Sequence, residues 1–329
     1  MTNSFGDILR VTIFGASHAA EVGVVIEGLP RGLRLAADMF TADLERRRPR
    51  LKGETTRSEA DVPYIEGTDG ESMTTGEAVR ISFRNGNTRS GDYAQFEHQP
   101  RPSHADLVQR RKYGAAYDIS GGGMASGRMT VALVAAGVVA KQLLEGVSFA
   151  TELESVGGVE DSSRFEDIIA EARAAGDSIG GVVRCSISGI TAGLGEPFFD
   201  SVESVMSHLL FSIPGVKGVA FGDGFASAAK RGSERNDAIV DATGRTATNN
   251  EGGINGGIAN GNDIVVRVAI KPTPSISLGQ HTYDFARGEI SELVIGGRHD
   301  SCIARRAVVV VEAMAALALA ELKLKSEYA

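Results

Sequence analysis

The stretch GGGMASGRMTVALVAAGVVAKQLLEG, residues 121–146, joins a glycine-rich segment to a helix of mostly small apolar residues. A helix that is apolar on every face is expected to be buried, and small side chains let its neighbours pack closely on all sides. A second apolar segment, AVVVVEAMAALALAEL at residues 307–322, predicts a buried C-terminal helix from about residue 303 to 323. These two segments therefore predict helices in the interior of the protein.

The elements outside these two helices mix strands and helices without a regular alternation. Ser163 and Glu166 are expected to form a capping box at the start of one helix. Because no steady strand–helix–strand order emerges, the pattern favours an α+β fold. We expect one domain over residues 1–329. The predicted strands lie near 7–15, 22–30, 77–85, 182–190 and 262–272, and further helices near 36–48, 162–176 and 201–213.

Composition excludes several classes of protein. The 329 residues carry a net charge of −8, whereas binding to a phosphate backbone needs a basic face, so no nucleic-acid partner is expected. No segment offers about 18 consecutive apolar residues, so we expect no membrane span. The N-terminus lacks the pattern of a signal peptide. Cys185 and Cys302 form neither a disulfide framework nor a zinc-ligand spacing, which predicts a cytoplasmic protein without a bound metal.

Arginine is clustered despite the negative net charge. The segment LERRRPRLKGETTR, residues 44–57, packs six basic residues into fourteen. Such a cluster either binds a small polyanion or forms a solvated helix end, and charge alone does not separate these alternatives. The segment GGGMASGRMT, residues 121–130, lacks the ending of a P-loop, but free N–H groups at a helix N-terminus beside Arg128 suit an anion. Its alternative is a glycine-rich turn that only permits tight packing.

Three of the six histidines have distinctive surroundings. His18, His104 and His299 lie beside glycine, serine or aspartate in segments with few apolar residues. Histidine is a natural proton donor and acceptor near neutral pH, although a structural role is the alternative for each one taken singly. The glycine pairs at 252–253 and 256–257 precede a strand rather than a helix, which excludes a Rossmann site but still allows a flat ligand to approach the backbone.

In combination, these segments resemble the chorismate synthase family. The motifs occur in the family's order from about residue 6 to residue 322, and the ordered set is far more specific than any single motif. The resemblance implies a single-domain β-α-β sandwich, with central helices packed between antiparallel sheets. The matching segments are FGASHAAEVGVVIEGLPRGL, LERRRPR, RSGDY, RPSHAD, KYG, GGGMASGRMTVALVAAGVVAKQLL, NNEGGINGGIANG, AIKPTPSI and GRHDSCIARRAVVVVEAMAALALAEL.

The resemblance implies a lyase that catalyses the last step of the shikimate pathway, in aromatic amino acid biosynthesis. It would convert 5-enolpyruvylshikimate 3-phosphate to chorismate and phosphate by a 1,4-anti elimination that requires reduced FMN. The resemblance also implies a homotetramer, and it leaves open whether the protein reduces its own flavin with NADPH. One alternative is an impaired relative that binds flavin or a phosphorylated acid without turnover. A weaker alternative is a phosphate lyase that needs no flavin.

The resemblance also implies roles for individual residues. His18 would protonate the departing phosphate, His104 would donate to the reduced flavin, and Asp300 would act with the flavin in accepting the ring proton. The substrate would contact Ser17, Arg47, Arg101, Arg128 and Arg298. The flavin would contact Met124, Ala125, Ser126, Gly256, Lys271, Pro272, Thr273, Pro274, Ser275 and Arg298.

The sequence departs from the family pattern mainly within residues 124–129. Met124 replaces an arginine, Ala125 a serine, Gly127 an alanine and Met129 a glutamate of the similar motif. The three residues with implied catalytic roles are all retained. Loss of one arginine beside an anion is expected to weaken binding by about 1.5–3 kcal/mol. Flavin affinity is therefore the property that these changes are expected to alter.

Overall fold

The computed structural model describes residues 3–88, 90–114, 116–297 and 299–328. The strands in these ranges are β1 Ser4–Phe5, β2 Arg10–Gly15, β3 Glu21–Glu27, β4 Tyr64–Glu66, β5 Val79–Arg84, β6 Ser148–Val156, β7 Gly181–Ser188, β8 Val216–Phe221, β9 Ile254–Asn255, β10 Ile258–Ala259, β11 Ile264–Ile270, β12 Gln280–Asp284 and β13 Glu289–Leu293. The α-helices are α1 Thr41–Arg47, α2 Asp106–Tyr113, α3 Thr130–Gln142, α4 Phe165–Ala174, α5 Val202–Ser212, α6 Gly232–Arg235 and α7 Ala304–Tyr328.

Two antiparallel sheets enclose a layer of helices. The first sheet has the strand order β1-β2-β3-β5-β4, and the second has the order β6-β7-β11-β8. Helix α3 packs on β3 and β5 of the first sheet, whereas α7 packs on β6 and β7 of the second. Helices α3 and α7 also contact each other, and α5 packs between α7 and β8. The predicted α+β sandwich with central helices is therefore confirmed.

Strand β11 illustrates how alternate residues of a strand become buried. Ile264, Val266, Val268 and Ile270 are buried, and the residues between them are more accessible. Side chains alternate between the two faces of a strand, so every second residue of β11 faces the helix layer. Its pairing with β7 on one side and β8 on the other places β11 inside the second sheet. The residues directly after β11 are thereby held at one end of the helix layer.

Close packing of α3 against α7 explains the small residues of both helices. A Cβ atom added to Gly137 would lie 2.3 Å from Cβ and 2.5 Å from Cα of Ala313. No side chain larger than hydrogen fits at residue 137 unless the helices move apart. Both helices are almost wholly buried, as their composition predicts. This contact fixes the distance between the two helices and, through them, between the two sheets.

Some local predictions were wrong. The capping box of Ser163 and Glu166 does not form, because Ser163 lies inside a short 3-10 turn that precedes α4. The Asp161 side chain caps that turn by accepting from the Ser163 N–H at 3.1 Å, and Glu166 pairs with Arg305 instead. Strands β1, β6, β8, β9, β10, β12 and β13 and helices α2 and α6 were not predicted. Among the described residues, no helix is long and apolar enough to span a membrane.

The Gly137 contact yields a prediction with a definite sign. Replacement of Gly137 by alanine is expected to lower the free energy of unfolding by about 1–3 kcal/mol, because overpacking forces α3 and α7 apart. Intrinsic helix propensity alone predicts the opposite, a gain of about 1 kcal/mol. Urea unfolding of the variant and the wild type measures the difference. A stabilised Gly137→Ala variant would contradict this close packing.

Candidate functional site

A cavity of about 690 Å³ opens where several elements begin or end. Its wall includes Arg47 at the end of α1, the segments that precede α3 and α7, residues 211–217 from the end of α5 to the start of β8, and residues 271 and 273–275 after β11. Cavities of this size are typical of small-molecule and cofactor sites. Because both α3 and α7 begin at this wall, their close packing sets the width of the cavity.

Most residues with predicted roles line this one cavity. Four predicted residues are not among the described residues that line the cavity: Ser17, His18, Gly256 and Pro272. Gly256 lies in the turn between β9 and β10. Arg298 lies outside the described residues. The predicted residues that line the cavity are Arg47, Arg101, His104, Met124, Ala125, Ser126, Arg128, Lys271, Thr273, Pro274, Ser275 and Asp300.

Ser17 and His18 are held against the glycine segment before α3. A Cβ atom on Gly121, which has a φ of +61°, would lie 2.4 Å from Ser17 Oγ and 2.8 Å from the His18 ring. The His18 ring packs edge-on against Tyr93 at 5.3 Å between centroids. Gly121 and Tyr93 both line the cavity, so His18 adjoins it through these two residues. Arg57 connects Ser17 to the cavity wall by donating from Nη1 to Ser17 Oγ at 2.9 Å.

Two of the predicted substrate-binding arginines share one buried carboxylate. Asp61 accepts a hydrogen bond from Arg47 through one oxygen and from Arg128 through the other. Burial alone would raise the pKa of Asp61, but Arg47 and Arg128 outweigh it and hold the pKa below its ordinary value. Burial also lowers the pKa of Arg47 to about 10. The three side chains together carry one net positive charge on the cavity wall.

A second buried carboxylate connects Arg101 and His104. Asp106, the first residue of α2, accepts from Arg101 Nε at 2.8 Å and from Nη2 at 2.7 Å. His104 Nδ1 lies 2.7 Å from the same carboxylate. Arg101 Nη1 donates to Ser275 Oγ at 3.0 Å, which ties this group to the segment after β11. The structure thus brings Arg101, His104 and Ser275 together around an acid that the predictions did not include.

The third predicted catalytic residue is also fixed in place. Asp300 accepts from the Thr55 backbone N–H at 2.9 Å and from Arg306 Nη1 at 3.0 Å. Arg306 Nε in turn donates to the Arg47 carbonyl at 2.9 Å, which connects Asp300 to the first arginine group. His299, to which the family resemblance gave no role, lines the same cavity, and burial lowers the pKa of its ring. The hydrogen bonds from Thr55 and Arg306 hold the Asp300 carboxylate in a defined position.

Another part of the wall carries lysine and apolar groups. Lys271 Nζ donates to the Ser103 carbonyl at 2.8 Å, and burial, together with nearby Lys217, lowers the pKa of Lys271. Two neighbouring ammonium groups repel each other, so an anion between them is stabilised. Thr273 Oγ1 is buried and has no hydrogen-bond partner among the described residues. Met124 and Ala125 contribute an apolar surface to the same cavity.

Sequence reasoning missed the acids that hold the cavity arginines. Asp106 stands in the RPSHAD motif, and Glu59, which pairs with Arg57 at 2.9 Å, lies near Asp61 just beyond the arginine-rich segment. Asp106 and Glu59 pair with arginines only five and two residues away, so short spacing was a signal that could have found them, whereas Asp61 meets Arg128 across 67 residues of sequence. Arginine clustering indicated an anion site without showing that each arginine needs a counter-ion. Only the tertiary structure shows those pairs.

Removal of the Asp61 charge tests the arginine group. Asp61→Asn is expected to lower the free energy of unfolding by roughly 3–5 kcal/mol, because two buried guanidinium groups lose their shared counter-ion. Since the pKa of Asp61 is lowered, its contribution is complete above the ordinary value of 3.8 and is lost as the pH falls below it. Urea unfolding at several pH values should therefore show the difference from wild type shrinking in acid.

The matched control for this experiment is Asp38→Asn. The Asp38 side chain is 72% exposed and pairs with Arg34 at 3.5 Å, so the variant should lose less than about 1 kcal/mol. An Asp61→Asn variant as stable as the Asp38→Asn variant at neutral pH would contradict the importance of the buried arginine group.

Comparison with known proteins identifies the family. The chorismate synthase family model matches residues 9–324 of this chain. The curated chorismate synthase of Chitinophaga pinensis is 51% identical over 98% of this chain and 96% of its own length. That of Archaeoglobus fulgidus is 44% identical over 97% of this chain and 96% of its own length.

The fold comparison agrees with the sequence comparison. A solved structure described as the crystal structure of chorismate synthase has a TM-score of 0.71 to this chain. It is 24% identical in sequence, and the match covers 98% of this chain and 93% of the solved one. That similarity shows a shared fold, and the sequence matches extend over nearly the whole length. The chain belongs to the chorismate synthase family.

Proposed function

We propose that the protein is a lyase that converts 5-enolpyruvylshikimate 3-phosphate to chorismate and phosphate in aromatic amino acid biosynthesis. Membership of the chorismate synthase family supports this activity. The observation that carries the proposal is one cavity whose wall gathers Arg47, Arg128 and Lys271 with His104 and Asp300. The substrate bears a phosphate and two carboxylates, and guanidinium and ammonium groups stabilise such anions.

The balance of charges on the wall supports an anionic ligand. Asp61 neutralises only one of Arg47 and Arg128, whereas the Arg306–Asp300 and Arg57–Glu59 pairs are each balanced. A net positive charge in a partly buried site attracts anions more strongly than the same charge would in water. Fixed positive groups also stabilise the negative charge that develops as phosphate departs. We therefore assign Arg47 and Arg128 to the anionic groups of the substrate.

Proton transfer to the phosphate is assigned to His18, with Ser17 as a phosphate-binding neighbour. Ser17 is fully buried, and its hydroxyl and carbonyl oxygens both accept from Arg57, which lines the cavity. The His18 ring lies between Gly121 and Tyr93. A phosphate that reaches this part of the wall would therefore meet Arg57, which Ser17 holds in place, with the His18 ring next to Gly121 and Tyr93. Those groups suit the binding and protonation of a departing phosphate.

Another part of the wall suits reduced FMN. Residues 124–126, 271 and 273–275 offer apolar surface and a Thr273 hydroxyl without a hydrogen-bond partner among the described residues, and Lys271 with Lys217 offers positive charge for a phosphate. When bound, reduced flavin supplies electron density to the allylic system of the substrate. His104 would hold a proton beside the flavin and balance its charge. Asp300, fixed by Thr55 and Arg306, would accept the ring proton.

An anaerobic assay tests the activity. Purified protein with photoreduced FMN and 5-enolpyruvylshikimate 3-phosphate, without nicotinamide, is expected to form chorismate, which is followed by its absorbance. The His104→Ala variant is expected to lose about 100-fold or more of kcat, since positioned acid–base groups typically contribute that much. Folded protein that binds FMN and substrate but yields no chorismate would contradict the proposal and favour an impaired relative. Turnover without FMN would favour the flavin-free lyase.

Gly121 offers a second test of the same site. Gly121→Ala is expected to lower kcat by about tenfold to a hundredfold, because the new Cβ would displace Ser17 and His18. Steady-state kinetics with reduced FMN measures the effect. Gly158→Ala is the matched control, since Gly158 has a φ of +83° but no neighbour within 4 Å of an added Cβ. The control should lose stability from backbone strain of about 1–2 kcal/mol and keep its kcat. Equal kcat values for both variants would contradict the role of Gly121.

Three broader features belong to the same proposal. We assign residues 1–329 to one domain, which agrees with a core cluster whose residues come from both sheets and the helices between them.

A homotetramer follows from the family resemblance, and Phe198, Phe199 and Phe225, each at least 85% exposed, offer apolar surface for subunit contact. A cytoplasmic location stays a prediction from the cysteine content and the family.

A further inference from the structure

Asp106 is the most deeply buried acid beside a residue with a proposed catalytic role. Its side chain is wholly inaccessible, and it accepts from the backbone N–H of Arg101 at 3.2 Å as well as from Nε and Nη2 of that side chain. Its Oδ1 atom also lies 2.7 Å from Nδ1 of His104. Nδ1 has no hydrogen-bond partner of acceptable geometry among the described residues, so this contact is a close approach of the nitrogen to the carboxylate rather than an aligned hydrogen bond.

The charge state of Asp106 decides which nitrogen of His104 carries a proton. Burial would raise the pKa of Asp106, but contacts with Arg101 and His104 outweigh burial and hold the pKa far below its ordinary value. Asp106 is therefore ionised at neutral pH, and an ionised carboxylate can only accept. The nitrogen that faces it, Nδ1, must carry the proton. In the neutral ring, Nε2 is then the nitrogen with a free electron pair.

The surroundings direct the other edge of the ring toward the glycine segment. A Cβ atom added to Gly122 would lie 3.4 Å from Cε1 and 3.6 Å from Nε2 of His104. The ring is 17% exposed, and His104 lines the cavity next to Ser103 and Ala105. Gly122, which is buried and is not among the described residues that line the cavity, thus places no side chain over the Nε2 edge of the ring.

Arg101 lines the cavity, but its side-chain hydrogen bonds among the described residues go to Asp106 and Ser275. Its Nη1 donates to Ser275 Oγ, and its Nε and Nη2 donate to Asp106. Its guanidinium carbon lies 4.5 Å from the centre of the Phe96 ring and 5.7 Å from that of Tyr93. These contacts enclose a guanidinium group that is only 3% exposed. The arrangement makes Arg101 the counter-ion and support of Asp106, a role different from the substrate binding that the family resemblance implies.

We propose that Asp106 is a positioning residue that keeps His104 as the Nδ1-protonated tautomer, which leaves Nε2 as the unprotonated nitrogen, and that Arg101 holds Asp106 in place. The catalytic consequence rests on the proposed function, because it requires that His104 exchange a proton during turnover. The tautomer itself does not depend on that function. A carboxylate that orients a histidine in this way commonly affects activity by about 10- to 100-fold.

The test uses the full chain labelled with nitrogen-15 histidine, without flavin or substrate. Nitrogen–proton correlation spectra, recorded at alkaline pH where the rings are neutral, distinguish the two tautomers of each histidine. The His104→Gln variant identifies the His104 signals among those of the six histidines. The wild type is expected to show the Nδ1–H tautomer at His104. An Nε2–H tautomer there would overturn the proposal, whether or not the enzyme turns over its substrate.

The Asp106→Asn variant then tests the cause. It keeps the size of the side chain but lacks the charge, so the Nε2–H tautomer of His104 should appear. We expect kcat with reduced FMN to fall about 10- to 100-fold while KM for 5-enolpyruvylshikimate 3-phosphate changes little, since Asp106 contacts no substrate. Asp38→Asn, which removes an exposed charge, is the control for net charge. An unchanged tautomer or an unchanged kcat in folded Asp106→Asn protein would overturn the proposal.

If Asp106→Asn does not fold, the wild-type tautomer still decides the structural claim. The Arg101→Lys variant then supplies the second measurement, because lysine keeps the charge but lacks the fork that grips both oxygens of Asp106. It should show mixed tautomers at His104 and a lower kcat. A wild-type tautomer with full kcat in Arg101→Lys would contradict the supporting role of Arg101.

Discussion

The contact between Gly137 of α3 and Ala313 of α7 is the constraint on which the rest of the structure depends. At this point the two helices approach so closely that a single added Cβ would meet its neighbour at 2.3 Å. Each helix also packs on a different sheet, so the contact sets the distance between the sheets. Both helices begin at the cavity, and the residues before and within their first turns form part of its wall. A packing requirement of the core thereby fixes the geometry of the functional site.

Electrostatics impose a second constraint on the cavity wall. A site for a highly charged substrate needs several arginines, but buried guanidinium groups without counter-ions are strongly destabilising. In this protein the cavity arginines form ion pairs with acids of the same chain. Asp61 pairs with Arg47 and Arg128, and Asp106 pairs with Arg101. Because Asp61 is shared by two arginines, a positive charge remains for a ligand. The same acids orient the groups that face the cavity.

Much of the architecture could be predicted from the sequence, because it follows from local patterns. The two buried helices are long apolar runs, strand β11 is a short apolar run that ends before Pro272, and the α+β class follows from the order of the elements. Helix α2 was missed for a physical reason. Helix α2 is only eight residues long and mostly polar, so neither its period nor its hydrophobicity distinguishes it from a loop. The 3-10 turn before α4 was also missed, so the capping side chain is that of Asp161 and not that of Ser163 as expected.

For the candidate site, the sequence by itself determined the family and the kinds of residues that are present. The ordered motifs were enough to single out His18, His104 and Asp300. Only the tertiary structure decided which charges meet, because the pair of Asp61 and Arg128 joins residues 67 positions apart. It also placed Arg101 against Asp106 and Ser275. The physical reason is that motifs record local composition, whereas the partner of a buried charge depends on which elements the core brings together.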